Sequence, residues 1–128
     1  MTCRIVRLGS PRLPGEGVRI GTVRRPPRGV PKERHAADDW YDVWYPDLAP
    51  SAELVAHARS AATDAEWAAF VRDYRAEMDA AGPRRTLDLL AALSRGASFS
   101  VGCYCENEAR CHRSVLRRLL EERGADVT

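Results

Sequence analysis

The feature that most constrains this chain lies near its end. A β-prone run, Ser98-Phe99-Ser100-Val101, leads into Gly102-Cys103-Tyr104-Cys105-Glu106-Asn107-Glu108-Ala109-Arg110-Cys111-His112-Arg113. An amphipathic run follows, in which Val115, Leu116, Leu119 and Leu120 share one helical face and Gly124 offers a C-terminal cap. The pattern predicts strand, loop and helix, with thiols, an imidazole and guanidinium groups at the turn. Three of the four cysteines and one of the three histidines fall within ten positions there. Strand ends of α/β proteins commonly carry the chemistry, so the remaining chain is expected to be the scaffold of this turn.

The scaffold is legible in order. Cys3–Leu8 predicts a first strand ended by Gly9-Ser10-Pro11, and Val18–Val23 a second. Only nine residues, Gly9 to Gly17, separate them, which suggests an antiparallel pair or an unusual extended link. Three prolines within Arg24–Lys32 forbid helix and central strand, leaving a loop that presents Arg24, Arg25, Arg28 and Lys32. Trp40–Tyr45 predicts a third strand. Ser51 should cap a helix over Ala52–Arg59, and Thr63 or Asp64 the next one. In that second helix Trp67, Phe70, Val71, Tyr74 and Met78 form a core stripe. Gly82-Pro83 should break it before a third helix over Thr86–Leu93. The expected fold is one α/β domain over residues 1–128. It would have three layers, a mostly parallel or mixed sheet of about four strands with helices packed on both faces.

Charge narrows the ligand class. Residues 1–37 carry nine basic and two acidic side chains (+7), 38–82 three and ten (−7), and 83–128 eight and six (+2), which sums to the net +2. The basic third can meet an anionic ligand or pair with the acidic middle of the same chain. No apolar run is long enough for a membrane span, and the start of the chain has no signal-peptide pattern. A cytoplasmic protein with reduced thiols is expected, without a membrane partner; its oligomeric state stays open.

Several stretches match a known family in order. They are Leu8-Gly9-Ser10 at the first strand end, Val23-Arg24-Arg25-Pro26-Pro27-Arg28, Trp40, Pro50-Ser51, Phe70 and Tyr74, and Cys103 with Cys111-His112-Arg113. On these the chain resembles the bacterial domain of unknown function 488 family, including its YeaO-like branch. The resemblance implies an α/β fold and a site at the Cys…Cys-His-Arg signature, and brings no established activity. Two positions depart from the family pattern. Thr22 stands where an Asp is common, and Cys105 where a Glu is common.

Three readings of the cysteine turn follow from residue chemistry. In the first, Cys103, Cys111 and His112 are catalytic, with a cysteine as nucleophile and His112 as acid/base. Arg24, Arg25, Arg28 and Arg113 then bind an anionic or nucleotide-like ligand in a cleft also lined by Ser10, Tyr45 and Cys105. No cofactor is needed. In the second, Cys103, Cys105, Cys111 and His112 hold zinc. Against it, neighbouring side chains on a helix diverge by about 100°, so Cys111 and His112 could share an ion only from an irregular turn. In the third, the cysteines are small buried hydrophobes. Cys3 is expected in the core, and His35 and His57 in solvent. A nucleic-acid interface built on the Arg24–Lys32 loop and the Trp40, Trp44 and Tyr45 rings is the remaining partner class.

Overall fold

A computed structural model describes residues 1–128. Four parallel strands, β1 (Cys3–Arg7), β2 (Val18–Gly21), β3 (Val43–Trp44) and β4 (Phe99–Cys103), form a sheet in the order β1-β4-β2-β3. Helices α1 (Ala52–Ser60), α2 (Asp64–Met78) and α3 (Ala81–Leu93) lie between β3 and β4 in sequence, and α4 (His112–Glu122) follows β4. The α/β reading of the sequence holds.

The short link between the first two strands is explained by what lies between them. β1 and β2 are not neighbours; each pairs in parallel with β4, Ile5 and Ile20 both standing opposite Val101. A link crossing two strand spacings and returning down a strand must span roughly 20 Å. Ten extended residues reach about 33 Å, so no helix is needed. The link instead runs across β4. Ser100 Oγ donates to Glu16 Oε2 at 2.6 Å, and a Cβ on Gly17 would sit 1.9 Å from the Ser98 carbonyl oxygen. Gly17 also has φ +79°, so glycine is required there twice over.

This link changes the expected layering. Cys3, Phe99 and Val101 face a core built with Phe70, Tyr74, Met78, Leu87, Leu90, Leu116 and Leu120, so the helices gather on one face of the sheet. The other face, where a second helical layer was expected, is covered by loop. Loops between β1 and β2 and between β2 and β3 lie over it, and Arg19, Gly21, Ser100 and Gly102 point into them. Arg19 is fully buried there. Its Nε and Nη2 donate to Glu16 at 2.7 and 3.0 Å, and its Nη1 donates to the Ser10 and Asp39 carbonyls, each at 2.8 Å. Burial alone would raise the Glu16 carboxyl; hydrogen bonds from Arg19, Ser100 and the Leu13 N–H outweigh it and hold the group down to about 2.

Helix boundaries follow local chemistry. Ser51 and Thr63 cap α1 and α2, accepting from Leu54 N and Glu66 N. Helix α3 starts five residues before the expected Thr86. Gly82-Pro83 lies inside its first turn, where a proline's missing N–H would have no partner anyway. The expected Trp40–Tyr45 strand shrinks to Val43–Trp44, because Tyr41 turns under the sheet against Gly21, where a Cβ would lie 2.3 Å from the ring. Val115, Leu116, Leu119 and Leu120 are the buried face of α4, as the spacing requires, and Gly124 at φ +78° ends it. No helix is long and apolar enough to cross a membrane.

Candidate functional site

Parallel pairing places the ends of β1, β4 and β2 on one edge of the sheet, and the candidate site forms there. Cys103 is the last residue of β4, and Cys111 is the N-cap of α4. The eight-residue step between them closes a loop that brings the two sulfurs into contact, while their Cα atoms stay 7.9 Å apart. The ligand-type atoms of Cys103, Cys111 and His112 all lie within 4.8 Å of one another.

The objection from helical geometry is answered at the cap. Cys111 has φ −132° and ψ 152°, an extended conformation outside the helix, so it does not diverge from His112 as two helical residues would. Its side chain makes no capping hydrogen bond, and its sulfur is 3.8 Å from His112 Nδ1. The other ring nitrogen, Nε2, is 2.7 Å from the Thr22 carbonyl oxygen. A carbonyl only accepts, so Nε2 carries the proton and Nδ1 turns its lone pair towards the thiols. The Tyr74 ring, edge-on at 5.6 Å, holds the imidazole from the other side. Burial pushes His112 down to about 4, Arg113 adds to the shift, and the Thr22 hydrogen bond opposes it. Thr22 is itself fixed, its N–H and its hydroxyl both donating to the Gly102 carbonyl at 2.9 Å.

The centre is closed. Cys103, Cys111 and His112 are 1 %, 2 % and 9 % exposed. These three side chains therefore do not line an open cleft, and direct attack by either sulfur on a substrate requires the residues that cover them to move. A surface hollow of about 300 Å³ lies elsewhere, between α2 and α4, lined by Trp67, Val71, Arg75 and Arg118 among others and by none of the three centre residues. Two buried polar atoms lack a hydrogen-bond partner, Tyr41 Oη and Arg113 Nε. Tyr41 belongs to the same buried cluster as Cys103 and Cys111. Arg113 is 4 % exposed and reaches the Cys105 carbonyl with Nη2 at 2.5 Å.

The other sequence candidates divide. Cys105 is exposed and outside the donor cluster. The Arg24 guanidinium is spent on the carbonyls of Pro46, Ala49 and Pro50, so it braces a turn. Arg25 and Arg28 are exposed, and the Tyr104 hydroxyl ties their loop to the cysteine loop by donating to the Arg25 carbonyl at 2.8 Å. Ser10 hydrogen-bonds the Arg7 carbonyl and supplies its own carbonyl to Arg19, on the loop-covered face. Tyr45 packs on the helical side, its hydroxyl 2.9 Å from Thr86 Oγ1, away from the cysteines. Cys3 is core, and burial pushes its thiol up to about 12 against the pull of Arg117. His57 is in solvent as expected, but His35 is buried, edge-on to Tyr41 with Nε2 3.1 Å from the Val30 carbonyl. Sequence reasoning missed Thr22 and Tyr41 as parts of the site. Thr22 was visible only as a departure from a family pattern, and the burial of Tyr41 depends on the missing side chain of Gly21.

The family profile DUF488-N3a, described as the active DUF488-N3 subclade, matches residues 3–124. The chain belongs to that family. No curated protein and no solved structure matches it.

Proposed function

We propose that this DUF488-N3a domain is a small enzyme that acts on an anionic, nucleotide-sized ligand at the strand-end edge, with Cys103, Cys111 and His112 as its reacting centre. The observation that carries this reading is the preset imidazole. Nε2 is committed to a backbone carbonyl, and Nδ1 is held beside two thiols in a site with little water. Such an arrangement costs burial of polar groups, and Val or Ala would fill the space at lower cost. The description of the family as an active subclade supports the same reading.

The ligand class comes from the surroundings. Arg25 and Arg28 stand exposed on a loop tied to the cysteine loop, and neither has a carboxylate partner among the ion pairs. Arg113 adds a buried cation with an unused N–H. Cations of this kind favour phosphate or carboxylate groups.

Titration calorimetry with inorganic phosphate and with adenosine monophosphate tests the reading. Wild-type protein should bind at least one of them. The Arg25→Ser/Arg28→Ser variant should bind at least tenfold more weakly with an unchanged circular dichroism spectrum. Absence of binding by the wild type, or equal binding by the variant, overturns the assignment of ligand class. A steeply salt-dependent affinity for a single-stranded oligonucleotide, without mononucleotide binding, would transfer the basic loop to a nucleic-acid interface.

A further inference from the structure

We propose that Cys103 Sγ, Cys111 Sγ and His112 Nδ1 are three protein ligands of a zinc-class divalent cation, with a fourth position left for solvent or for the anionic ligand. The inference deepens the reading above and rests on it only for the identity of that fourth group. Four observations support it. The three donor atoms already lie within 4.8 Å of one another. The imidazole presents an unprotonated Nδ1 because Nε2–H is anchored on the Thr22 carbonyl, the second contact that metal-bound histidines generally make. The structure sets the two sulfurs directly against each other, but the Cα separation of 7.9 Å exceeds what a disulfide spans without backbone movement, so the backbone spaces the cysteines as two separate ligands. Finally, Tyr41, in the same buried cluster as the cysteines, has a hydroxyl with no partner, a buried polar group that a bound solvent molecule would satisfy.

Charge and softness select the ion. Two thiolates and a neutral imidazole compensate a divalent cation, so the loaded centre buries no net charge. Soft sulfur ligands exclude magnesium and calcium and favour zinc. Three protein ligands with one exchangeable position form the pattern of catalytic zinc, which lowers the pKa of bound water to about 7 and polarises an oxyanion. Binding is not a redox step. Each cysteine S–H bond breaks, its electron pair forms the sulfur–metal bond, and its proton leaves to solvent. Cys105 has no part in the set, because it is exposed and outside the cluster.

Cobalt(II) titration of the reduced full-length protein under anaerobic conditions tests the site. The expected result is saturation at one equivalent, with thiolate-to-cobalt charge-transfer absorption and the intense bands of tetrahedral cobalt, both abolished by excess zinc. Cys105→Ser should keep these bands. Cys103→Ala and Cys111→Ala should each weaken cobalt binding at least tenfold. The wild-type titration decides the matter even where an alanine variant fails to fold. Folded, reduced wild-type protein without charge-transfer bands overturns the site, as does a Cys105→Ser variant that loses them. Phosphate binding without cobalt bands would remove the metal and keep the anion reading. Cobalt bands without phosphate or mononucleotide binding would do the reverse.

Discussion

Two buried polar clusters flank the sheet, and they differ in how completely they are satisfied. In the Glu16–Arg19 cluster, the guanidinium donates to two carboxylate oxygens and two carbonyls, and Glu16 also accepts from Ser100 and Leu13 N. In the Cys103–Cys111–His112 cluster, Nδ1 faces sulfur, and Tyr41 Oη lacks a partner. A network with every group paired holds its loops to the sheet and needs nothing further. One with unpaired groups stays under tension until a ligand completes it. On the function proposed above, the first cluster serves stability and the second serves the reaction.

The largest effect should come from breaking the complete cluster. Arg19→Met leaves a buried carboxylate without its partner and should cost about 3–5 kcal/mol in urea unfolding. A loss below about 1 kcal/mol would mean that the network is not structural.

Acid should separate the clusters in the metal-free protein. His112 is depressed to about 4 from its ordinary 6.5, so its neutral form stabilises the fold fully above 6.5 and loses that contribution as pH falls towards 4. Glu16 is depressed to about 2 from 4.5, so its contribution is complete above 4.5 and is lost between 4.5 and 2. Stability against pH should fall in two overlapping steps. His112→Gln should remove the upper step alone and Glu16→Gln the lower. A single step removed by either variant would erase the distinction.

Metal should act on one cluster only. Zinc at a hundred times its dissociation constant should stabilise the protein by about 2.7 kcal/mol, and a chelator should reverse the gain. The gain should disappear in Cys111→Ala and survive in Ser100→Ala, as measured by thermal unfolding.

Single hydroxyls give the finest contrast. Ser100→Ala removes a hydrogen bond to a buried carboxylate and should cost about 1.5–3 kcal/mol. Tyr41→Phe deletes an unsatisfied hydroxyl and should leave the metal-free protein within about 0.5 kcal/mol of wild type or make it more stable. A large loss in Tyr41→Phe would show that its hydroxyl is paired after all.

Much of this was legible in the chain because it depends on local periodicity and capping. Leu116, Leu119 and Leu120 announce the buried face of α4, and Ser51 and Thr63 announce two helix starts. The cysteine turn was also locatable, since Cys103 ends a strand and Cys111 starts a helix within one short segment. What was not legible depends on the order of strands. With β4 between β1 and β2, a ten-residue link can cross the sheet without a helix, and the second face is loop. The same order sets Thr22 beside Gly102 and so beneath His112, a contact of 90 residues' separation that no local pattern announces. Arg24 shows the converse failure: its place in a basic loop suggested a ligand contact, and three carbonyls of a neighbouring turn claim it.

Zinc-edge X-ray absorption of the zinc-loaded protein tests the central claim most directly. The account predicts two sulfur atoms at about 2.3 Å and two lighter atoms at about 2.0–2.1 Å around each ion. A shell without sulfur, or with three sulfurs that would bring in Cys105, would contradict it.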